Sequence, residues 1–324
     1  MRSRIPAVVL GLALALSGCS GGGDSPTPTA DGGTGLEKTT IKVGALPIPD
    51  PAALYIAQAK GFFKAEGLTV EPVTITGGAV ALPQIESGAL DISQTNYVST
   101  ILAAGQGKKI KLVADMYQAA PNTFTIMVPK DSPIQSVADL KGKVVLVNNL
   151  QNIATLAVTS QIKAAGLSTD DIKFIEKPFP EMGNALNSGQ GDAAWITEPF
   201  ITANKNALGF RTIADTMTGP TAEFPIAGWM ASEDWAAKNP RTLAAFQRAI
   251  AKAQQLASSD RKEVEAVLPT YTKIDAKTAA AIALGTFPTS LDAARLQKVA
   301  DLMLEYGYLK SPVDVKSMIV PTTG

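Results

Sequence analysis

The sequence predicts an α/β protein made of two similar lobes, with a helical C-terminal region. Three observations predict it. From Thr40 onward, short apolar runs alternate with helical segments that stop at glycines, the order expected of mostly parallel sheets. Two stretches share one grammar: "IESGALDIS" (Ile85–Ser93) and "LNSGQGDAA" (Leu186–Ala194) each read as a helix end, Ser-Gly, two residues and an Asp opening a buried strand. Each stands before the third strand of a β-α-β-α-β series, so one joint used in two lobes explains the echo better than shared turn chemistry alone. From Ser232 the pattern becomes helical only.

The elements follow in order. "TIKVGAL" (Thr40–Leu46) is a buried strand, broken by "IPDP"; the next residues give two helical segments stopped at Gly61 and Gly67. "TVEPVTI" (Thr69–Ile75) is a strand whose Pro72 suggests an edge or a bulge. A helix over Ala79–Ser87, a strand over Leu90–Gln94, a helix near Tyr97–Ala104 and the strand Ile110–Asp115 complete the first run. The second run has strands at Thr123–Val128 and Lys143–Val147, a helix over Ile153–Ala165, a strand at Ile172–Glu176, a helix over Pro180–Asn187 and a strand at Asp192–Ile196. Helices over Asn239–Ser258, Lys262–Leu268, Ala276–Leu284 and Ser290–Tyr306 then pack around a lobe.

The first residues stand apart from this body. Arg2 and Arg4 precede the apolar run Ile5–Leu16, which is too short to span a bilayer and reads as a signal peptide over residues 1–18. It ends in "LSGC", and small residues before a Cys look like a lipobox, with lipidation of Cys19. That Cys is the only one in the chain. Residues 19–39 read as a lipidated Cys and a flexible tether, holding the body about 25 Å from the membrane. The 324 residues carry 29 basic and 29 acidic side chains. No Lys/Arg run points to nucleic acid or to an anionic membrane surface.

Four stretches carry a family resemblance: "GALPIPDPAALYIAQAKGFFKAEGLTVEPV", "SGALDIS", "VPKDSPIQSVADLKGKVV" and "DAAWITEPF". They resemble the solute-binding lipoproteins of ABC importers of the nitrate/sulfonate/taurine and thiamine-pyrimidine-precursor type, over roughly Thr40–Pro321. The resemblance implies a type II periplasmic-binding-protein fold with a ligand cleft between two lobes. Crossover strands are expected near Phe124–Lys130 and Phe224–Ser232, giving lobe one as residues 40–127 plus 232–324 and lobe two as 128–231. It implies a monomer outside the cytoplasm, anchored to the cell membrane, that delivers a small molecule to permease subunits with a separate ATPase; the chain itself has no Walker A loop.

In open α/β sheets, ligands sit beyond the carboxyl ends of strands, where loops enter helix N-termini. In the first run that rule selects Pro49, Asp50, Thr76, Gly77, Gly78, Thr95, Asn96, Tyr97 and Tyr117. In the second it selects Asn149, Asn152, Trp195 and Glu198, with Phe224 on the return crossover. Trp195 is equally readable as core, Glu198 as a helix cap, and the Asn cluster as a turn with an N-cap. These loops hold carboxylates and aromatics but no Lys or Arg. The expected ligand is therefore neutral or weakly cationic and ring-containing, such as a pyrimidine or vitamin precursor. Anion binding through helix N-termini, as for a sulfonate or nitrate, stays open.

The chain has no His, which removes Ser–His and Cys–His catalysis and, with Cys19 outside the fold, any His/Cys zinc site. No enzyme, cofactor or metal is expected. A secreted hydrolase using paired carboxylates and a surface adhesin are the alternatives from other classes.

Overall fold

The computed structural model describes residues 35–322. The first run comprises β1 (Thr40–Ala45), α1 (Ala52–Ala59), α2 (Phe62–Ala65), β2 (Thr69–Thr74), α3 (Gly78–Glu86), β3 (Ile92–Asn96), α4 (Tyr97–Gly105) and β4 (Ile110–Gln118). The second comprises β5 (Phe124–Val128), β6 (Val144–Val147), α5 (Ile153–Ala164), β7 (Lys173–Glu176), α6 (Phe179–Asn187), β8 (Ala193–Thr197), α7 (Phe200–Leu208) and β9 (Arg211–Asp215). β10 (Pro225–Ser232) leads to α8 (Glu233–Lys238), α9 (Pro240–Ser259), α10 (Arg261–Tyr271), α11 (Ala276–Ala281) and α12 (Ala293–Glu305).

Two five-stranded sheets result, ordered β2-β1-β3-β10-β4 and β7-β6-β8-β5-β9. β1 pairs parallel with β2 and β3, as β6 does with β7 and β8. Each sheet also admits one antiparallel strand, β10 in the first and β5 in the second. The sheets thus have the same plan: β5–β9 build the second, and the chain returns with β10 to complete the first. Pro72 lies on β2, an edge strand, where a missing N–H costs no inner ladder bond.

The repeated joint is visible atom by atom. Gly88 and Gly189 take left-handed backbone after α3 and α6, with φ of 74° and 75°, a conformation glycine adopts without a Cβ penalty. Asp91 then donates its N–H to the Lys42 carbonyl (3.0 Å) and accepts the Lys42 N–H on Oδ2 (2.9 Å). Asp192 does the same with Val144, at 2.8 Å for both bonds. Each carboxylate stands in for a ladder partner, Asp91 along β1 and Asp192 at the start of β6.

The expected boundaries at 127/128 and 231/232 need correction. They cut through β5, which lies wholly in the second sheet, and β10, which lies wholly in the first. Both strands are almost entirely buried, and buried backbone groups need ladder partners along their whole length. The chain therefore passes between sheets in short loops, at residues 119–123 and 216–224. These run side by side, joined by Ala119 N–H to Phe224 O (2.9 Å) and Thr216 N–H to Phe124 O (3.0 Å).

The tether also ends earlier than expected. Leu36 packs against the core, Glu37 accepts from Arg241 Nε at 2.9 Å and Thr242 N–H at 2.8 Å, and Lys38 Nζ lies 2.6 Å from Asp91 Oδ1. The expected signal peptide, Cys19 and most of the tether lie outside the described residues.

The C-terminal helices clothe the first sheet. Phe246 on α9 stacks with Phe63 (5.8 Å between centroids) and meets Trp229 of β10 edge-on (5.7 Å). Gln247 Nε2 donates to the Val113 carbonyl of β4 at 2.7 Å. Pro240 opens α9, a first-turn position where its missing N–H is harmless.

Candidate functional site

The carboxyl ends of β1, β3, β6 and β8 face one another where the sheets meet. Beside them lies a cavity of about 30 Å³, lined from the first lobe by Leu46, Ile48, Asp50, Gly78, Gln94, Thr95, Asn96, Ile226 and Ala227, and from the second by Phe124, Asn148, Ile153, Phe179 and Trp195. An apolar cavity that holds benzene measures about 150 Å³, so this cavity as it stands is too small for a ring.

The second lobe supplies an aromatic wall. Phe124, first residue of β5, stacks on Trp195 of β8 with centroids 5.0 Å apart and planes 13° from parallel. Phe179, first residue of α6, lies 6.1 Å from Trp195 and stacks in turn on Phe200 at 5.8 Å. Trp195 Nε1 donates to Thr216 Oγ1 (2.9 Å), which bonds the Phe124 carbonyl (2.8 Å). The wall is thereby fixed to one of the two passages between sheets.

The first lobe supplies polar groups, most already satisfied. Gln94 Oε1 accepts the Leu46 N–H at 2.8 Å. Thr95 Oγ1 pairs with Thr100 Oγ1 at 2.8 Å, and Asn96 Oδ1 caps α4 by accepting the Ser99 N–H at 2.9 Å. Asp50 is different. It is 2% exposed, and its Oδ1 has no hydrogen-bond partner among the described residues. Burial raises its carboxyl from 3.8 to about 7, since a low-dielectric surrounding disfavours the charged form.

Of the sequence-selected residues, Asp50, Gly78, Thr95, Asn96 and Trp195 line the cavity. Gly77 and Asn149 meet at its rim: a Cβ on Gly77 would lie 1.9 Å from Asn149 Oδ1, an atom with no hydrogen-bond partner among the described residues. The others do not line it. The Pro49 carbonyl accepts from Ala52 N–H (3.0 Å) at the head of α1, and Thr76 is exposed. Tyr97 opens α4 but turns inward, its hydroxyl donating to Asp115 Oδ1 at 2.6 Å. Asp115 also pairs with Arg295 of α12, and burial raises its carboxyl to about 6 despite that guanidinium. The Tyr117 hydroxyl accepts the Gly285 N–H.

Asn152 is an N-cap. Its Oδ1 accepts the Ala154 N–H at 2.9 Å and its Nδ2 donates to Asn148 Oδ1 at 3.0 Å. Glu198 accepts from Thr202 N–H (3.1 Å) and Oγ1 (2.9 Å) at the start of α7, and burial raises its carboxyl. Phe224 lies on the passage itself, its neighbours Ile226 and Ala227 reaching the cavity instead.

The strand-end rule found the loops, and Gln94, Asn148, Ile153 and Phe179 lie within them with Phe124 close by, but none of the five is among the residues selected as ligand contacts. An aromatic at the first position of an element, as Phe124 and Phe179 are, was the signal that could have ranked them higher.

The family model described as "NMT1/THI5 like" matches residues 48–264. The chain is 29% identical over 208 residues to the putative binding protein YtlA of Bacillus subtilis (strain 168), covering 63% of this chain and 61% of that one. It is 26% identical over 254 residues to a putative aliphatic sulfonates-binding protein of Escherichia coli (strain K12), covering 76% and 78%. It is 25% identical over 281 residues to the riboflavin-binding protein RibY of Chloroflexus aurantiacus, covering 70% and 78%. Among solved structures, the alkanesulfonate-binding protein SsuA from Xanthomonas axonopodis pv. citri, bound to MOPS, superposes with a TM-score of 0.72 at 20% identity, covering 88% of this chain and 99% of that one. The periplasmic nitrate-binding protein NrtA from Synechocystis PCC 6803 gives 0.73 at 17%, covering 87% and 85%. The likeness to these structures is one of fold, and with the family model matching more than half of the chain, the chain belongs to the NMT1/THI5-like family.

Proposed function

We propose that the protein is the extracytoplasmic solute-binding component of an ABC importer, and that it captures a neutral or weakly cationic, ring-containing molecule between its lobes. One observation carries the ligand class: the Phe124–Trp195–Phe179 wall lines the same cavity as the buried Asp50 carboxylate, whose Oδ1 has no hydrogen-bond partner among the described residues, and no Lys or Arg among those residues lines it. A flat ring gains dispersion and quadrupole contacts against such a wall, about 0.5–1.5 kcal/mol per aromatic pair beyond its buried area.

Capture follows from the two passages that join the sheets. The lobes rotate about the passages at 119–123 and 216–224, and ligand contacts to both sides bias the equilibrium toward the closed form. Binding near the micromolar range, about −8 kcal/mol, suits capture and release. Permease subunits receive the closed form. The Ile5–Leu16 run and Cys19 support anchoring to the outer face of a cell membrane.

A second reading has its own support. Gly78 and Ile153 open α3 and α5, and Asn96 caps α4, all at the cavity; helix N-termini bind anions. Three of the five similar proteins named above carry sulfonate or nitrate in their names. Asp50 opposes that reading in charge. Calorimetry against pyrimidines, flavins, aromatic amines, alkanesulfonates and nitrate decides: binding by ring compounds is expected, and binding by sulfonates or nitrate alone would overturn the proposal.

A further inference from the structure

We infer that Asp50 is the counter-ion of the ligand, so that the molecule captured presents a protonated nitrogen, as an amidinium or aminopyrimidinium edge does, to the first lobe while its ring lies on the second. This rests on the reading of the inter-lobe cavity as the ligand site and narrows the ligand from ring-containing to cationic.

The inference starts from an anomaly. Buried polar atoms in folded proteins nearly always have a partner, and an exception calls for an explanation. Asp50 Oδ1 has none among the described residues, while Gln94, Thr95, Asn96 and Asn148, which share its cavity, are each bonded within the protein. With Asn149 Oδ1 at the rim, Asp50 Oδ1 is one of two acceptors left open there among the described residues, and it is the one that belongs to a carboxylate and lines the cavity itself.

Among the described residues, no cation lines this cavity. Tyr117 of β4 and Tyr271 of α10 are close enough for the Asp50 charge to perturb both phenols, and both are themselves held neutral by burial. Tyr271 stacks face to face on Tyr55 of α1, centroids 3.7 Å apart, and its own hydroxyl has no partner among the described residues. Arg261 is engaged elsewhere, with Glu265 Oε1 at 2.6 Å and the Ile282 carbonyl at 2.8 Å. Arg295 is committed to Asp115. A ligand nitrogen is what completes the site: a charge-assisted N–H bond to a buried carboxylate is stronger than a neutral one, and a planar amidinium can offer two donors on one edge.

The experiment uses three single-ring probes of closely similar shape and different charge: benzamidine, benzamide and benzoate. Their affinities for the full chain are measured by calorimetry at about pH 8, where benzamidine is a cation and a carboxyl near 7 is largely ionised. The expected order is benzamidine over benzamide by about tenfold or more, with benzoate weakest. Asp50→Asn removes the benzamidine advantage, so that benzamidine and benzamide bind within about twofold of each other, a pattern that loss of packing alone, which weakens both probes in proportion, does not produce. If Asp50→Asn keeps the benzamidine advantage, the counter-ion assignment fails and the ring reading stands. Benzoate binding tightest overturns the assignment. If none of the three binds, both readings fall. Should Asp50→Asn fold poorly, Asp50→Glu serves as the second variant: retained preference for benzamidine supports the assignment, and preference for benzoate overturns it.

Discussion

Asp50→Asn has a second consequence, in stability without any ligand. Burial lifts this carboxyl in the folded chain from an ordinary 3.8 to about 7. A group whose folded-state value lies above its unfolded value binds its proton more tightly when folded. Its contribution is therefore complete below about pH 4 and is lost as pH rises toward 7. The interval of about 3 pH units corresponds to roughly 4 kcal/mol at about 1.4 kcal/mol per unit. Asparagine cannot ionise, so the variant escapes that loss. Chemical denaturation at about pH 4 and pH 8 should find the two proteins within about 1 kcal/mol of each other in acid, with the variant more stable by roughly 2–4 kcal/mol in base. Asp115 and Glu198, also raised by burial, contribute equally to both proteins and cancel. Parallel stability curves would refute the claim that Asp50 is buried and unpartnered.

The remaining predictions concern closure and framework. Gly77→Ala places a methyl against Asn149 Oδ1 in extended backbone that any residue adopts; it should weaken ligand affinity about tenfold, roughly 1.4 kcal/mol, with unchanged thermal stability, and Asn149→Gly in the same chain should restore binding in calorimetry. Tyr97→Phe removes the donor to Asp115 and should cost about 1–3 kcal/mol in denaturation while leaving ligand affinity alone; a matching loss of affinity would return Tyr97 to the site. Asp91→Ala strips the acceptor from Lys42 N–H and from Trp235 Nε1 (2.7 Å) in a buried setting and should cost about 2–3 kcal/mol. Asp192→Ala, at a joint whose side chain is 38% exposed, should cost about 1 kcal/mol or less by the same assay; equal losses would contradict the burial argument.

Much of the fold was legible because periodicity and glycine stops mark elements locally. The joints at Gly88 and Gly189 are visible for that reason. So is the edge position of β2, through Pro72. The resemblance placed the crossovers near Phe124–Lys130 and Phe224–Ser232, but the side of each strand on which the chain passes between sheets was not legible. "FTIMV" and "PIAGWMAS" read as continuous buried strands, and nothing within them states which sheet supplies their ladder partners. α7 and β9 escaped because "FITANKNAL" is polar along much of its length and every residue of "RTIAD" is half-buried, so neither shows a clean period. At the site, the strand-end rule points to loops, but the direction of each side chain is set by register and helix entry. Asn96 and Tyr97 are adjacent, yet one lines the cavity and the other turns into the core. Asp50 was selected as a loop carboxylate; that it is buried and unpaired is a property of packing that no local pattern carries.

The central claim is that the cleft between the two sheets holds a ring-bearing, non-anionic solute. Native mass spectrometry of the full chain purified under non-denaturing conditions, followed by release and identification of any bound small molecule, tests it most directly. The account predicts a neutral or cationic compound containing a flat ring, lost together with the Asp50→Asn substitution. Recovery of an alkanesulfonate or nitrate, retained by Asp50→Asn, would contradict it.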